Sequence, residues 1–477
     1  MEYAFWIGAA LLLHTYALYP LSLPLLQGIF GRRRHNAAPI RHRVSLILAA
    51  YNEEKVIEEK IRNCFDLEFP REDLEILIGS DGSTDRTEAI VSQYAPAIKL
   101  FSFSERSGKS AILNELVPRA QGDIVVFCDA NTMLLPNALQ KLLAPFDDPD
   151  VGCVCGRLIL HDSGNSALGI GESIYWNLES EIKKLEGRLG IVIGANGGIY
   201  AIRKELYAAI PTDRKVMDDF FTTTRVLIAG KDAVYEPQAI GSEETSLDSY
   251  GEFHRKIRIS RANFNLLPRY IPLLNPLRPF VAYGFFSHKF LRWIAPLILL
   301  FLIAANIALV PVSPWYVGLL GLQGFFYACA ALGYLGNGRT RKYKFLLIPF
   351  YFVSMNAALL VGLFKSLTSK DTGTWNRVER APVSAPAPSR IRPPNSSASI
   401  SSSRSHAQTT EYPNCFTGVT LPELLFGHES ARQFPCFQST VDLGFTPSRT
   451  SRFFRHRGHG HRGSSGQIRF QGDGFRL

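Results

Sequence analysis

Between Arg41 and Asn263, short apolar runs alternate with segments whose apolar residues recur at helical spacing. Val44 to Ala49, Leu74 to Ile78, Ile98 to Phe103 and Ile124 to Cys128 read as strands. The segments that follow them read as helices starting near Glu53, Asp85, Lys109 and Asn137. Runs that are apolar on both faces, alternating with helices, predict a buried and mostly parallel sheet, an α/β unit. In such a sheet ligands bind beyond the carboxyl ends of the strands. The polar clusters stand there: Tyr51-Asn52-Glu53-Glu54 after the first run, Asp81-Gly82-Ser83-Thr84-Asp85 after the second, Asp129-Ala130-Asn131 after the fourth.

The apolar pattern outside this block is of another kind. No charge occurs between Glu2 and Arg32, and Arg32-Arg33-Arg34 follow at once. This stretch is long enough to cross a bilayer. A cleaved signal peptide carries its charges before a shorter apolar core, so the order and length here argue against one. Uncharged stretches from Trp293 to Gly338, broken by Pro311 to Pro314, and from Phe345 to Phe364 predict three further spans. Pro268 to Lys289 reads as an interface segment. The positive-inside rule puts the block after Arg32 on the cytoplasmic side, in a multi-pass protein of the cell membrane. Four spans then leave the C-terminus outside, although Lys365, Lys370, Arg377 and Arg380 prefer the inside.

The expected organisation is a membrane helix over 1–31, a soluble domain over 43–265, an interface segment with about three membrane helices over 268–366, and a disordered tail over 376–477. The tail from Ala381 is rich in Pro and Ser and carries eleven Arg against five acidic residues, +6 of the net +10 over 477 residues. The folded part is therefore only mildly basic, and a basic stripe with interleaved aromatics, the mark of nucleic-acid binding, is not found on it. Seven scattered cysteines exclude a disulfide scaffold and hold no zinc spacing. Cys153 and Cys155 read as structural, one thiol on each face of a strand.

Taken singly, Asn52 and Ser83 read as helix caps and Gly82 as a turn residue. Three acidic clusters on one sheet edge read differently, because crowded carboxylates repel unless a cation or a donor-rich ligand neutralises them. A metal-assisted nucleotide site is the economical account. Ser107-Gly108-Lys109-Ser110 imitates the end of a P-loop, but Phe103 stands where its first glycine belongs, which excludes an ATPase.

In order and spacing these residues carry a resemblance. Ala50 to Glu54, Ser80 to Asp85, Gly108-Lys109 with Asn114, Asp129 to Asn131, Gly194 to Gly198, Asp218-Asp219-Phe220 and Arg255 to Arg258 resemble the motifs of family 2 glycosyltransferases. The similarity is to the membrane-bound inverting GT-A type, the group of cellulose, chitin, hyaluronan and poly-N-acetylglucosamine synthases.

The resemblance implies a Rossmann-like GT-A domain, a nucleotide-sugar donor, a UDP-sugar above all, and a glycan or lipid-linked acceptor at the membrane lipid. It puts Tyr51 and Glu53 near the base, Asp81 on the uridine and Lys109 near the diphosphate. Asp129 and Asn131 fall on the DxD motif that holds a divalent ion, Mg2+ or Mn2+, with the neutral Asn131 the poorer ligand. Asp219 falls on the general base, and Asp218 beside it would raise its pKa. Arg255 and Arg258 fall on the Gln and Arg of QxxRW, with Ile259 in place of Trp, which puts processivity in doubt.

Tyr175 and Trp176, with Glu172 and Glu179, read more readily as core than as site. A polyprenyl-phosphate sugar transferase and an inactive membrane scaffold are the rival readings. A homo-oligomer or partner subunits of a synthase are left open.

Overall fold

The computed structural model describes residues 1–31, 40–161, 167–244, 249–336 and 343–368. The tail and most of the two basic runs after the first and third apolar stretches lie outside the described residues. The chain opens with α1 (Glu2–Phe30), which contains one π-helical turn at His14–Leu18. The soluble block then runs β1 (Val44–Ala50), α2 (Ile57–Phe65), β2 (Leu74–Asp81), α3 (Thr87–Ser92), β3 (Lys99–Phe103), α4 (Lys109–Arg119) and β4 (Ile124–Phe127). Its second half is β5 (Met133–Leu134), α5 (Ala138–Leu143), β6 (Val151–His161), α6 (Ala167–Arg188), β7 (Tyr200–Arg203), α7 (Asp218–Ile228), β8 (Asp232–Glu244) and α8 (Ser249–Asn265). Three apolar helices follow, α9 (Pro279–Leu309), α10 (Pro314–Leu335) and α11 (Lys344–Thr368).

The eight strands form one sheet in the order β3-β2-β1-β4-β7-β6-β8-β5. The half read from the sequence, β3-β2-β1-β4, is parallel throughout. The other half is mixed: β7 runs antiparallel to β4 and β6, while β6 and β8 are parallel with register shifts. Alternation builds a core on each face. Val44, Leu46 and Leu48 pack with Ile57 and Ile61 of α2 on one side, while Ile47, Leu77 and Val125 pack with Ile112 and Leu116 of α4 on the other. Cys153 and Cys155 both belong to the second of these cores, whereas Val154 belongs to the first. The expectation of opposite faces was therefore wrong, since residues two apart on a strand share a face.

α2 and α3 begin later than expected because the loops before them bond to each other. Asn52 sits at φ 53° and accepts from the Thr84 backbone N–H at 2.8 Å. Its own N–H donates to the Ser83 hydroxyl at 3.1 Å. Neither residue caps a helix as the sequence suggested; Arg86 holds the N-cap position of α3 without a side-chain cap bond, and Asp85 just before it accepts from the Thr87 N–H at 2.9 Å. The β1 and β2 loops thus form one rigid rim.

Among the described residues four helices, α1, α9, α10 and α11, are long and apolar enough to cross a membrane. α1 and α9 join the sheet's core directly, through Tyr19 and Leu23 of the first and Val281, Phe285 and Trp293 of the second. Polar groups fasten the same contact. Glu186 of α6 accepts from the Tyr19 hydroxyl at 2.5 Å and pairs with His288 at 2.6 Å. Glu179, two turns earlier on the same face of α6, holds His288 at 2.9 Å, Lys289 at 2.7 Å and Arg292 at 3.2 Å. The soluble block is therefore bolted to α9 by buried ion pairs.

Candidate active site

A cavity of about 770 Å³ opens beyond the carboxyl ends of β1, β2 and β4 and runs on to α11. Tyr51, Glu53, Asp81, Lys109, Asp129, Asn131, Asp218, Asp219, Arg255 and Arg258 all line it, so the fold brings every one of the candidate residues to one space.

At the donor end, β2 delivers Asp81, which is 4% exposed. Its carboxylate accepts from the backbone N–H of Ser107 at 2.6 Å and of Gly108 at 2.9 Å. Gly108 stands at φ 93°, a conformation that a side chain would strain, and this bend aims its N–H at Asp81. Arg106, from the same loop, lies 3.8 Å over the Tyr51 ring. The sequence offered no signal for Arg106, because only the fold sets it above Tyr51.

Lys109 is the centre of the arrangement. It opens α4 and reaches Asp129 at 2.7 Å and Asp218 at 3.0 Å. Burial pulls its ammonium toward the neutral form, and the two carboxylates more than reverse this, raising its pKa. Beneath the Asp129 loop the fully buried Lys60 donates to the Thr132 carbonyl at 2.5 Å and to Cys128 at 3.1 Å, fixing both ends of the segment that carries Asp129 and Asn131. Asn114 is structural: it accepts from the Tyr207 hydroxyl and the Ile210 N–H, each at 2.8 Å.

Asp218 and Asp219 form the first turn of α7. Asp219 accepts from the Phe220 N–H at 2.7 Å, within the first turn of the helix, and also lines the cavity. Burial, then the charge of Asp218, push its carboxyl up to about 6, against the pull of Lys109 and of the Phe220 N–H. The loop 194–198 passes close by. A Cβ on Gly197 would stand 3.2 Å from Asp219 Oδ2, and one on Gly198 would meet Thr132 Oγ1 at 2.7 Å. Lys183 holds this loop through Asn196 Oδ1 at 2.5 Å.

Tyr175, Trp176 and Glu179 also line the cavity, with Lys289 and Arg292 from α9. No spacing in the sequence connects these positions, which lie more than a hundred residues apart. Their meeting is a product of the contact between α6 and α9.

Among the described residues no group of three His, Cys, Asp or Glu side chains is arranged to hold a metal. Asp129, with a carboxylate, and Asn131, with an amide, both line the cavity. Mg2+ is commonly held by one or two carboxylates together with substrate phosphates and water, so this donor set fits an ion shared with a diphosphate and not a caged one.

Residues 45–210 match the family model Glycosyl transferase family 2. This is a family 2 glycosyltransferase domain. Its match takes in Asp81, Lys109 and Asp129 and ends before Asp218. Among curated proteins, the chain is 27% identical over 216 residues to a beta-monoglucosyldiacylglycerol synthase of Nostoc sp., covering 43% of this chain and 46% of that protein. It is 26% identical over 204 residues to a poly-beta-1,6-N-acetyl-D-glucosamine synthase of Staphylococcus epidermidis, covering 41% and 48%. The chain spans about half the length of these relatives. Among solved structures, a mannosyltransferase from Pyrobaculum calidifontis in complex with GDP-Man and Mn2+ superposes with a TM-score of 0.56 at 24% identity, over 77% of this chain and all of that one. The glycosyltransferase domain thus has the GT-A fold that the sequence predicted.

Proposed function

We propose that the protein is a multi-pass membrane enzyme that transfers a sugar, with inversion, from a nucleotide sugar to a hydroxyl group of a glycan or glycolipid on the cytoplasmic side of the membrane. A UDP-sugar is the proposed donor. The observation that carries the reading is the single cavity in which Asp129, Lys109 and Asp219 stand together. The names of the two relatives, a glucosyldiacylglycerol synthase and a poly-N-acetylglucosamine synthase, supply the two acceptor classes.

In this reading Tyr51 and Glu53 border the base, Asp81 meets the uridine, and Lys109, Arg255 and Arg258 face the diphosphate. Asp129 and Asn131 would hold Mg2+ or Mn2+, as the Mn2+ bound with GDP-Man by the archaeal mannosyltransferase suggests; the ion would supply charge neutralisation on the leaving diphosphate. Asp219 takes the acceptor's proton as the hydroxyl oxygen attacks the anomeric carbon. A carboxyl titrating near 6 is ionised at neutral pH and yet basic enough to help. Lys109 neutralises charge on the departing diphosphate, and Asp218 keeps Lys109 near it. Residues 43–265 form the catalytic domain, and α1, α9, α10 and α11 anchor it.

The test is purified full-length protein in lipid with a panel of radiolabelled nucleotide sugars, with and without divalent metal, and sizing of the product. Incorporation from one donor supports the reading. Binding of no nucleotide sugar and incorporation from none would replace it with the scaffold.

A further inference from the structure

The cavity changes character along its length. Its donor end is charged, with Asp129, Lys109 and Asp219, whereas its far wall is mainly apolar, made by Ile348, Tyr351, Phe352, Met355, Asn356 and Leu359. All six come from α11, a helix long and apolar enough to cross a membrane. Ile348 is 48% exposed, so this wall reaches the surface of the apolar helices. Tyr16 of α1 completes the wall. α11 packs on the amphipathic α8, where Ser260 donates to the Leu359 carbonyl at 2.9 Å. The same α8 carries Arg255 and Arg258 on the donor side. Between the two ends stand Tyr175, Trp176 and the Glu179–Lys289–Arg292 ion pairs.

A soluble oligosaccharide lying on Ile348, Phe352, Met355 and Leu359 would lose the hydration of its hydroxyls there, with only Tyr351 and Asn356 on that wall to return hydrogen bonds. A hydrocarbon chain in the same place gains burial.

Resting on the transferase reading above, we propose that the acceptor is a membrane amphiphile with an uncharged hydroxyl headgroup, its hydroxyl at Asp219 and its hydrocarbon chain along α11. The hydroxyl oxygen forms the new bond to the anomeric carbon and its proton passes to Asp219. The bond from that carbon to the diphosphate oxygen breaks, and the nucleoside diphosphate leaves with the electron pair. A base at this place suits a hydroxyl, because a phosphate acceptor arrives already ionised and needs no proton removed.

The test uses the full chain in nanodiscs or detergent, the donor found by the panel above, and three acceptor probes: alkyl β-glucosides of increasing chain length, a free oligosaccharide and polyprenyl phosphate. The expected result is an organic-extractable product from the alkyl glucosides, with kcat/KM rising from butyl to octyl by up to about two-hundredfold, the limit for four fully buried methylenes at about 0.8 kcal/mol each. Phe352→Asp should abolish that chain-length dependence while nucleotide binding by calorimetry stays unchanged.

Transfer to the free oligosaccharide at the octyl rate, no dependence on chain length, or polyprenyl phosphate as the better acceptor would each overturn the proposal. The chain-length series uses the unaltered protein, so it decides even where Phe352→Asp does not fold. Nucleotide-sugar binding separates the two levels of failure: donor bound without lipid transfer defeats the acceptor proposal, and no donor bound defeats the transferase reading.

Discussion

Replacing Asp219 by Asn removes a proton acceptor and keeps the shape. The amide oxygen can still accept from the Phe220 N–H, a bond now 2.7 Å long, and Asp129 and Lys109 keep their contact. General base catalysis is worth roughly 10²–10⁴ in rate, so kcat should fall by about that factor. Nucleotide affinity should change by less than about twofold, because no donor contact is removed. The wild-type rate should climb about tenfold per pH unit below pH 6 and level off above it, since only the ionised carboxylate accepts a proton and its pKa is raised to about 6.

Stability should move the opposite way. A carboxyl with a folded-state pKa above its usual 3.8 supports the fold when protonated, fully below pH 3.8, and loses that contribution as the pH rises through 6. The Asn variant should therefore be more stable than wild type at pH 8, by up to about 2 kcal/mol after solvent screening, and no more stable at pH 4. Transfer kinetics, calorimetry with nucleotide and thermal melts at two pH values supply the measurements. Equal losses in nucleotide binding and in rate would refute the assignment, as would an acid limb near pH 6 that survives in the variant.

Lys109→Gln should raise the KM for the donor by roughly tenfold, the weight of one charge-assisted contact to a diphosphate, and steady-state kinetics will read it. Gly362→Val should destabilise the packing of α8 on α11 by about 1–3 kcal/mol, because a Cβ there would meet the Ile257 carbonyl at 2.8 Å and the Ser260 side chain still closer; thermal unfolding in detergent will show the loss. Burial presses the Glu179 carboxyl upward, but His288, Lys289 and Arg292 hold it well below the ordinary range. Glu179→Gln should thus cost about 3–5 kcal/mol by leaving cations buried without their partner, visible as a lower Tm and as earlier proteolysis between the domain and α9.

The parallel half of the sheet was legible because β1, β2 and β4 are largely buried on both faces and so read as near-continuous apolar runs, while the half-exposed edge strand β3 was read from its apolar Leu100, Phe101 and Phe103. The mixed half was not. β8 spans Asp232–Glu244 and changes register against β6 where Gly156 is followed by Arg157, so the polar residues Glu236 and Gln238 interrupt any simple pattern. The donor end of the site was legible for a related reason: Asp81 and Asp129 sit at or just past the ends of strands the pattern had already located. Lys60 was invisible, since a lysine in an amphipathic helix reads as solvated, yet α2 turns it inward beneath Cys128. The far wall depends on α6, α8, α9 and α11 meeting, and helix-to-helix contact leaves no periodic mark in one sequence.

The salt-bridged trio of Lys109, Asp129 and Asp218 has a consequence for turnover. One ammonium between two carboxylates leaves this trio with a net charge of −1, so in the proposed reading a diphosphate settling on it would be helped by a counter-ion and by the Arg255 and Arg258 side chains of the same cavity. In the proposed reading the same ammonium would be drawn back to its two partners as the product loosens, so the resting ion pairs would compete with the spent donor and favour its departure, the step that limits many enzymes.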